Sequence, residues 1–595
     1  LIAVDEAHCV AEWGHDFRTS YLTLGQTIRK FTPNAPTLCL TATASERVLK
    51  NIAIEMNVTD EAICYHMDSS RDELNFIVEK SKDARNDLKK LIRKSNQNSQ
   101  VDNTAPFIIF TPYRTNDYGC SWIISDIRKI LADQKVALFC GTMPNPEKTT
   151  WSLQNEPSYL PDIRWGAFDQ LPAEEKFGFY KAEVQRLFKQ NKIAGICATK
   201  SFGMGVNKKN VRMTVHLGCP PSMESLYQEG GRAGRDKQPA DCIVIFTPEK
   251  ELPEHVSNQD TSLNQLNDWQ KSVRKKDAGD FTRQLFMLTK DLKNIKQEVK
   301  DCQLLISFLR VNSHPVQIVK GHRGEGDGVN EKTIYRLYQL GFIKDWTVDD
   351  FYRGIFSVEW QEQNPTGLVE QLEHYISKYA DSLEDAAKHK KAIRKIMREP
   401  SDNVLIEEKL IGYLLQWNYD HFVYNRRQSL KTIYDECNKY SEKNKFEFKK
   451  NLESYFSVNM KNRMEVVLGV TLIEAPQQLR SFLVDEDGIL KAQEEIRNTG
   501  TSIARYLESY QNNPGLNLLS AFCRAALGEF DDSDGRNRFK NYISQALENG
   551  SINTVWPDLK EAIEILPDNT QKLIATELLQ FDIHLDLEVD LFETF

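Results

Sequence analysis

Residues 1–21 read LIAVDEAHCVAEWGHDFRTSY. A short β-rich apolar run (1–4) ends in two acids, Asp5 and Glu6, and a histidine, His8. Trp13, His15, Asp16, Phe17 and Arg18 follow within ten positions of that histidine. The carboxyl end of a parallel strand is where α/β sheets place their ligands. A carboxylate there can hold Mg²⁺ on the phosphates of a nucleotide, while its neighbour orients and deprotonates water. Read alone, the same letters also describe a solvated acidic turn, so the stretches around them must decide.

Outward from this stretch the chain alternates. PTLCLTAT (36–43) is a second β-rich run and SERVLKNIAIEM (45–56) a helical one. Residues 106–250 repeat the scheme, with strand-like PFIIFTP (106–112), VALFC (136–140), IAGICAT (193–199), RMTVHLG (212–218) and DCIVIFT (241–247) separated by helical segments. Strands that are apolar nearly throughout, separated by helices, predict α/β lobes with parallel sheets covered on both faces. The composition divides the chain into a first lobe (1–80), a charged linker (81–104), a second lobe (105–250) and a helical connector (251–299). A compact unit (300–362) and a helical region (363–595) complete it. Residues 142–165, proline-bearing and polar, read as an inserted loop or hairpin. In 300–362 an apolar helix, a Gly-rich loop, the helix NEKTIYRLYQLG and two strand-like runs give the order of a winged helix. Ile334, Leu337 and Leu340 share one helical face there, which predicts Lys332 and Arg336 pointing outward.

With 595 residues, 40% hydrophobic and 27% charged, the chain needs several cores. No 18-residue apolar window supports a membrane span. The eleven cysteines form no CxxC pair, which suits reduced thiols and an intracellular setting. The net charge of −9 excludes a uniformly basic nucleic-acid binder. Residues 1–250 carry about +2 and the remainder about −11, so a polyanion should meet the first half or a small basic face in the second.

Three further stretches remove the ambiguity of the acids. LTATA (40–44) offers hydroxyls at Thr41 and Thr43 at the end of the second β run. In ATKSFGMGVNKKNVR (198–212), Gly203 and Gly205 permit a tight loop that phosphates can approach. In QEGGRAGRD (228–236), Arg232 and Arg235 follow a helical run at a spacing that can aim guanidiniums at a polyphosphate.

Together these stretches resemble motifs II, III, V and VI of superfamily 2 helicases, and PFIIFTPYR (106–114) resembles motif IV. HCVAEWGHDFRTSY (8–21) resembles the aromatic-rich loop of the RecQ family of DNA helicases. The resemblance covers roughly residues 1–250, plus a winged helix placed as in that family. It implies two RecA-like lobes, the first incomplete, followed by a winged helix and an all-α C-terminal region. It implies an ATP-dependent DNA helicase acting in DNA repair or recombination, moving 3′ to 5′ on single strands. By it, Asp5 is the Mg²⁺ ligand, Glu6 the catalytic base, and His8 the link from ATP to the second lobe. Thr199 and the loop with Gly203, Gly205 and Asn207 would face the DNA backbone and the cleft between lobes, and Thr41 and Thr43 would also contact DNA. Gln228, Arg232 and Arg235 would complete the nucleotide site, and Trp13, Phe17 and Arg18 would sense single-stranded DNA by stacking. The implied cofactors are ATP and Mg²⁺. The implied partners are single-stranded and forked duplex DNA, with Lys332 and Arg336 gripping the duplex, and proteins through the C-terminal helices.

The sequence departs from the family in two places. No G-x-x-x-x-G-K-[ST] occurs, and Leu1 stands inside an apolar run, so the phosphate-cradling loop is expected before Leu1 and these 595 residues alone are expected to be inactive. No cysteine lies between Cys242 and Cys302, where the family places four zinc ligands, so no structural zinc is expected. Two alternatives are a DNA-binding scaffold without ATPase activity, against which DEAH and GRAGRD stand, and an RNA-directed helicase, against which WGHDFR stands.

Overall fold

A computed structural model describes residues 1–581 apart from 14–23, 42–45, 60–61, 64–70, 99–104, 133, 169–170, 204–206, 259–260, 275–276, 291, 293, 313–315, 320–330, 351–352, 381–382, 399–402, 441–444, 456–466, 468–470, 486–487, 508–509 and 532. The chain forms two units: 1–66 with 292–425 and 457–595, and 67–291 with 426–456.

In the first unit, β1 (Ile2–Val4) pairs in parallel with β2 (Thr37–Cys39). Helices α1 (His8–Trp13), α2 (Leu24–Phe31) and α3 (Glu46–Met56) accompany them. Ala7, Ile52 and Met56 form a small core there, joined by Val4, Ile28 and Cys39.

The second unit holds a six-stranded sheet, parallel at every described pairing, in the order β3-β8-β7-β4-β6-β5. Its strands are β3 (Leu74–Lys80), β4 (Phe107–Phe110), β5 (Val136–Phe139), β6 (Gly195–Ala198), β7 (Met213–Leu217) and β8 (Ala240–Phe246). Every residue of β4, β5 and β6 is buried, as their unbroken apolar runs require of strands covered on both faces. Gly195 is there for space: a Cβ would lie 2.1 Å from the Phe107 ring.

Two boundaries read from composition need correcting. β3 pairs along its whole length with β8, from Leu74↔Ala240 to Lys80↔Phe246, so it belongs to the second sheet rather than to a first lobe ending at 80. The supposed linker 81–104 contains α4 (Ala84–Asn98), whose Ala84, Leu88 and Ile92 are buried in the same core. Its many charges hid an i, i+4, i+8 apolar stripe. Helices α5 (Cys120–Ile130), α6 (Glu156–Tyr159), α7 (Ala173–Lys189), α8 (Met223–Gly230), α9 (Leu263–Ser272) and α10 (Asp280–Thr289) complete this part of the unit. In the inserted stretch Glu156 is buried, accepting from Arg128 Nη1 at 2.7 Å and from the Tyr180 hydroxyl at 2.9 Å. Asp280 anchors the connector: its Oδ2 accepts the N–H groups of Cys219 (2.9 Å) and Thr247 (2.8 Å), and its Oδ1 accepts from Arg283 (2.8 Å).

Back in the first unit, α11 (Ile295–Arg310), β9 (Val316–Val319), α12 (Glu331–Gln339), β10 (Ile343–Asp350) and β11 (Ile355–Trp360) form helices on a three-stranded antiparallel sheet of order β10-β11-β9. Helices α13 (Pro365–Tyr379), α14 (Leu383–Arg398) and α15 (Asn403–Asn418) pack on it, sharing one core with Leu305, Ile334 and Leu337. Trp417, Tyr419 and Phe422 of the aromatic run 413–427 are buried. α16 (Tyr424–Lys439) and α17 (Lys445–Tyr455) lead into the second unit, where the Tyr434 hydroxyl accepts the Glu249 N–H at 2.7 Å and Tyr455 donates to Glu224 at 2.9 Å. A separate core holds α18 (Ala475–Leu483), α19 (Gln493–Leu507), α20 (Pro514–Ala526), α21 (Ser533–Glu548), α22 (Ile552–Glu564) and α23 (Asp568–Leu578). No described helix is long and apolar enough to cross a membrane.

Candidate functional site

β1 delivers Asp5 and Glu6 just past its carboxyl end. Glu6 has a φ of 51°, a left-handed conformation uncommon outside glycine, and its N–H donates to Asp5 Oδ1 at 2.9 Å. The strand ends are tied across the sheet: Leu40 N donates to the Val4 carbonyl (2.9 Å) and Ala7 N to the Leu40 carbonyl (2.8 Å). That register sets Thr41 beside His8, the buried first residue of α1. His8 Nδ1 lies 3.1 Å from Thr41 Oγ1 and 3.4 Å from Glu6 Oε2. Glu6, His8 and Thr41, chosen from two separate motifs, therefore touch. Asp5 is exposed beside them. Trp13 ends α1, but its side chain, like Phe17, Arg18 and Thr43, lies outside the described residues.

The other expected residues lie in the second unit. Thr199 follows β6, its N–H bonded to the Phe139 carbonyl (3.2 Å) and its hydroxyl 2.9 Å from Ser201 Oγ. Gly203 closes a short 3₁₀ turn, and Gly205 lies outside the described residues. Asn207 Oδ1 accepts from Arg235 Nη1 at 3.3 Å, joining the two glycine-bearing stretches. Gln228 occupies the last turn of α8, which Ser222 caps by accepting the Ser225 N–H at 3.1 Å. Beyond α8 the arginines differ: Arg232 is buried and Arg235 is exposed. Gly234, at φ 61°, allows the turn between them, and a Cβ there would meet Glu73 Cγ at 2.9 Å.

Sequence reasoning missed three supports of this loop. Arg71 donates to the Ala233 carbonyl (3.0 Å) and the Gly231 carbonyl (3.4 Å) while pairing with Glu73. It stands before β3, in a segment assigned to the other lobe, so nothing marked it. Buried His216 lies 3.0 Å from Glu229 Oε2 and stacks on Phe110. Here a signal existed, a histidine inside the apolar strand RMTVHLG. Lys208 donates to Asn191 Oδ1, and burial pulls its ammonium down to about 8.

The expected duplex-gripping pair is contradicted. Lys332 and Arg336 do not point outward: Lys332 Nζ lies 3.5 Å from Glu298 Oε1, and Arg336, 4% exposed, has Nε 4.0 Å from Glu298 Oε2. Tyr419 also donates to Glu298, at 2.6 Å. Helical phase places Ile334 and Leu337 inward, but α12 is flanked by α11, β10 and α13, so its opposite face is covered as well. Lys320, His322 and Arg323 lie outside the described residues.

Residues 178–237, which hold both glycine-bearing stretches and Arg235, match the helicase conserved C-terminal domain. The ATP-dependent DNA helicase RecQ of Pasteurella multocida is 32% identical over 249 residues, 42% of this chain and 32% of that protein. The ATP-dependent DNA helicase Q1 of Pongo abelii is 34% identical over 254 residues, 41% of this chain and 31% of that protein. Over some 250 residues the chain is therefore similar to DNA helicases of the RecQ type. It spans about a third of the length of these RecQ relatives. Among solved structures, Mss116p bound to ssRNA and AMP-PNP gives a TM-score of 0.31 at 15% identity, covering 52% of this chain and 54% of that one.

Asp5 has the chemistry a Mg²⁺ ion needs of a ligand: it is an exposed carboxylate at a strand end, with one oxygen already oriented by the Glu6 N–H. Among the described residues no three His, Cys, Asp or Glu gather to hold a metal. Mg²⁺ typically takes one or two carboxylates and completes its shell with phosphate and water.

Proposed function

We propose that this protein is an ATP-dependent DNA helicase of RecQ type, which translocates 3′ to 5′ on single-stranded DNA and unwinds duplexes. The observation that carries the reading is the contact of Glu6 and Thr41 through His8. A carboxylate that would polarise water is held against a histidine whose other neighbour lies just past the next strand, so a change in phosphate occupancy at Glu6 has a physical route to Thr41. Asp5 would hold Mg²⁺, which when bound neutralises phosphate charge. Glu6 would orient the attacking water and take its proton. Arg235, exposed and steadied by Asn207 Oδ1, would place a guanidinium against the charge that develops on the transferred phosphoryl group. Arg232 and Gln228 would hold the loop that carries it. Trp13, Phe17 and Arg18 would sense single-stranded DNA. The unit of α11, α12 and the β9–β11 sheet is read as a winged helix, and it would meet forked duplex DNA through groups other than Lys332 and Arg336.

The test is Glu6→Gln in the full-length protein. Charge on the base is lost while its shape remains, so hydrolysis should fall by about 10²-fold or more while ATP and DNA binding persist. Near-normal DNA-stimulated turnover in this variant would remove Glu6 from the chemistry and the proposal with it.

A further inference from the structure

Residues 251–595 carry about −11, yet α14 reads LEDAAKHKKAIRKIMR. Lys388, Lys391, Lys395 and Arg398 recur along it at intervals of three and four residues. At 100° per residue they fall within an arc of about 80°. All four are exposed. The opposite side of the helix carries Ala386 and Ile393, both buried, with Ile396 and Met397 packed against the same core. That core fixes the rotation of α14 and therefore the direction of the row. Arg394, just beside the row, is pinned to Glu373 by bonds of 2.7 and 2.9 Å. None of the four has a carboxylate partner among the described residues. Glu384 stands in line one turn before Lys388. The row spans about 15 Å at 1.5 Å per residue.

We propose that this row is a contact for the phosphodiester backbone of duplex DNA, a choice of partner that rests on the helicase reading above. Four exposed cations in a line, without a carboxylate partner among the described residues, attract a polyanion. Among the described residues of α14 no large apolar side chain is exposed, which disfavours insertion into a membrane or stacking on unpaired bases. Lysine and arginine ends without aromatic neighbours read phosphate and not sequence. The contact adds grip without specificity, and it replaces the one that Lys332, paired with Glu298, and the buried Arg336 do not offer.

The experiment compares the full-length protein with Lys388→Gln/Lys391→Gln/Lys395→Gln/Arg398→Gln by fluorescence anisotropy on a blunt duplex of unrelated sequence across a salt series. For every phosphate the variant no longer neutralises, the slope of log K against log salt should flatten by about 0.9, up to about 3.6 for the whole row. ATPase stimulation by saturating single-stranded DNA and the thermal midpoint should stay unchanged. A slope altered by less than about 0.9, with wild-type binding intact, overturns the row as a contact and leaves the helicase reading standing. Failure of the wild type to bind any DNA overturns both. Weakened binding to anionic vesicles with an unaltered DNA slope would assign the row to lipid and also overturn the proposal.

Discussion

Glu298 is the place where the structure can be tested against the simplest reading of α12. Its carboxylate, 6% exposed, takes the Tyr419 hydroxyl at 2.6 Å, Lys332 Nζ at 3.5 Å and Arg336 Nε at 4.0 Å. Glu298→Gln keeps the volume and an acceptor for Tyr419 but leaves the buried Arg336 guanidinium without its counter-charge. Removing one partner of a buried pair costs about 3–5 kcal/mol, because the survivor remains desolvated. Arg336→Met should cost a similar amount by stranding Glu298, although Lys332, 18% exposed, can still reach it and bring the cost toward the bottom of that range. The double variant removes both charges together and should recover a good part of the summed cost, with a coupling of about 1–3 kcal/mol. Urea unfolding of the four proteins, followed by tryptophan fluorescence, measures the cycle. Additive costs would refute the pairing. So would an Arg336→Met protein that unfolds like wild type but binds duplex DNA with a flatter salt slope, since that is the behaviour of an outward-facing group.

Two other outcomes follow from the second unit. Arg235→Ala in the full-length protein should lower kcat by about 10³-fold at saturating ATP while leaving stability nearly unchanged, since the side chain is exposed; a kcat within about tenfold of wild type would show that Arg235 only steadies Asn207. Burial lifts the Asp280 carboxyl to about 6, against an ordinary 3.8, so its contribution to stability is complete below about pH 4 and is lost as pH rises through 6. The stability difference between wild type and Asp280→Asn should therefore fall by roughly 2–3 kcal/mol from about pH 4 to about pH 7, and a difference that grows with pH would be inconsistent with this.

What could be read in advance depended on how local each signal was. The strands FIIF, VALF and GICA announced a parallel sheet because burial on both faces leaves an unbroken apolar run. DEAH and LTATA could be joined because both sit at strand ends that a parallel sheet brings side by side. The membership of β3 could not be read: LNFIVEK looks like a strand anywhere, and only its seven-residue pairing with β8 assigns it. α4 was hidden by its own charge, since five basic residues outweighed three buried apolar ones in any average over composition. Periodicity gave the phase of α12 correctly, but it reports which face is apolar and not how many neighbours a helix has. Arg71 carried no signal, because its partners are backbone carbonyls some 160 positions away.

The same dependence on register explains why the acid at position 6 can tolerate its backbone. A left-handed glutamate costs on the order of 1–3 kcal/mol and persists only where the surroundings over-determine it. Here the chain on one side is fixed by β1–β2 pairing through Val4↔Cys39, and on the other by the Ala7 N–H on the Leu40 carbonyl. The intervening turn must close between those two fixed points. At φ 51° the Glu6 N–H faces back onto Asp5 Oδ1, and its own carboxylate comes within 3.4 Å of the His8 ring. Relaxing that dihedral would separate the pair of acids from each other and from His8. Since the other neighbour of His8 is Thr41, two residues past β2, the same strand pairing that enforces the strain also positions the residue that receives its consequence. A one-residue slip of β2 would turn Thr41 to the opposite face and leave His8 without its neighbour on that strand. Strain and linkage at this site therefore have one cause, the register of a single pair of parallel strands.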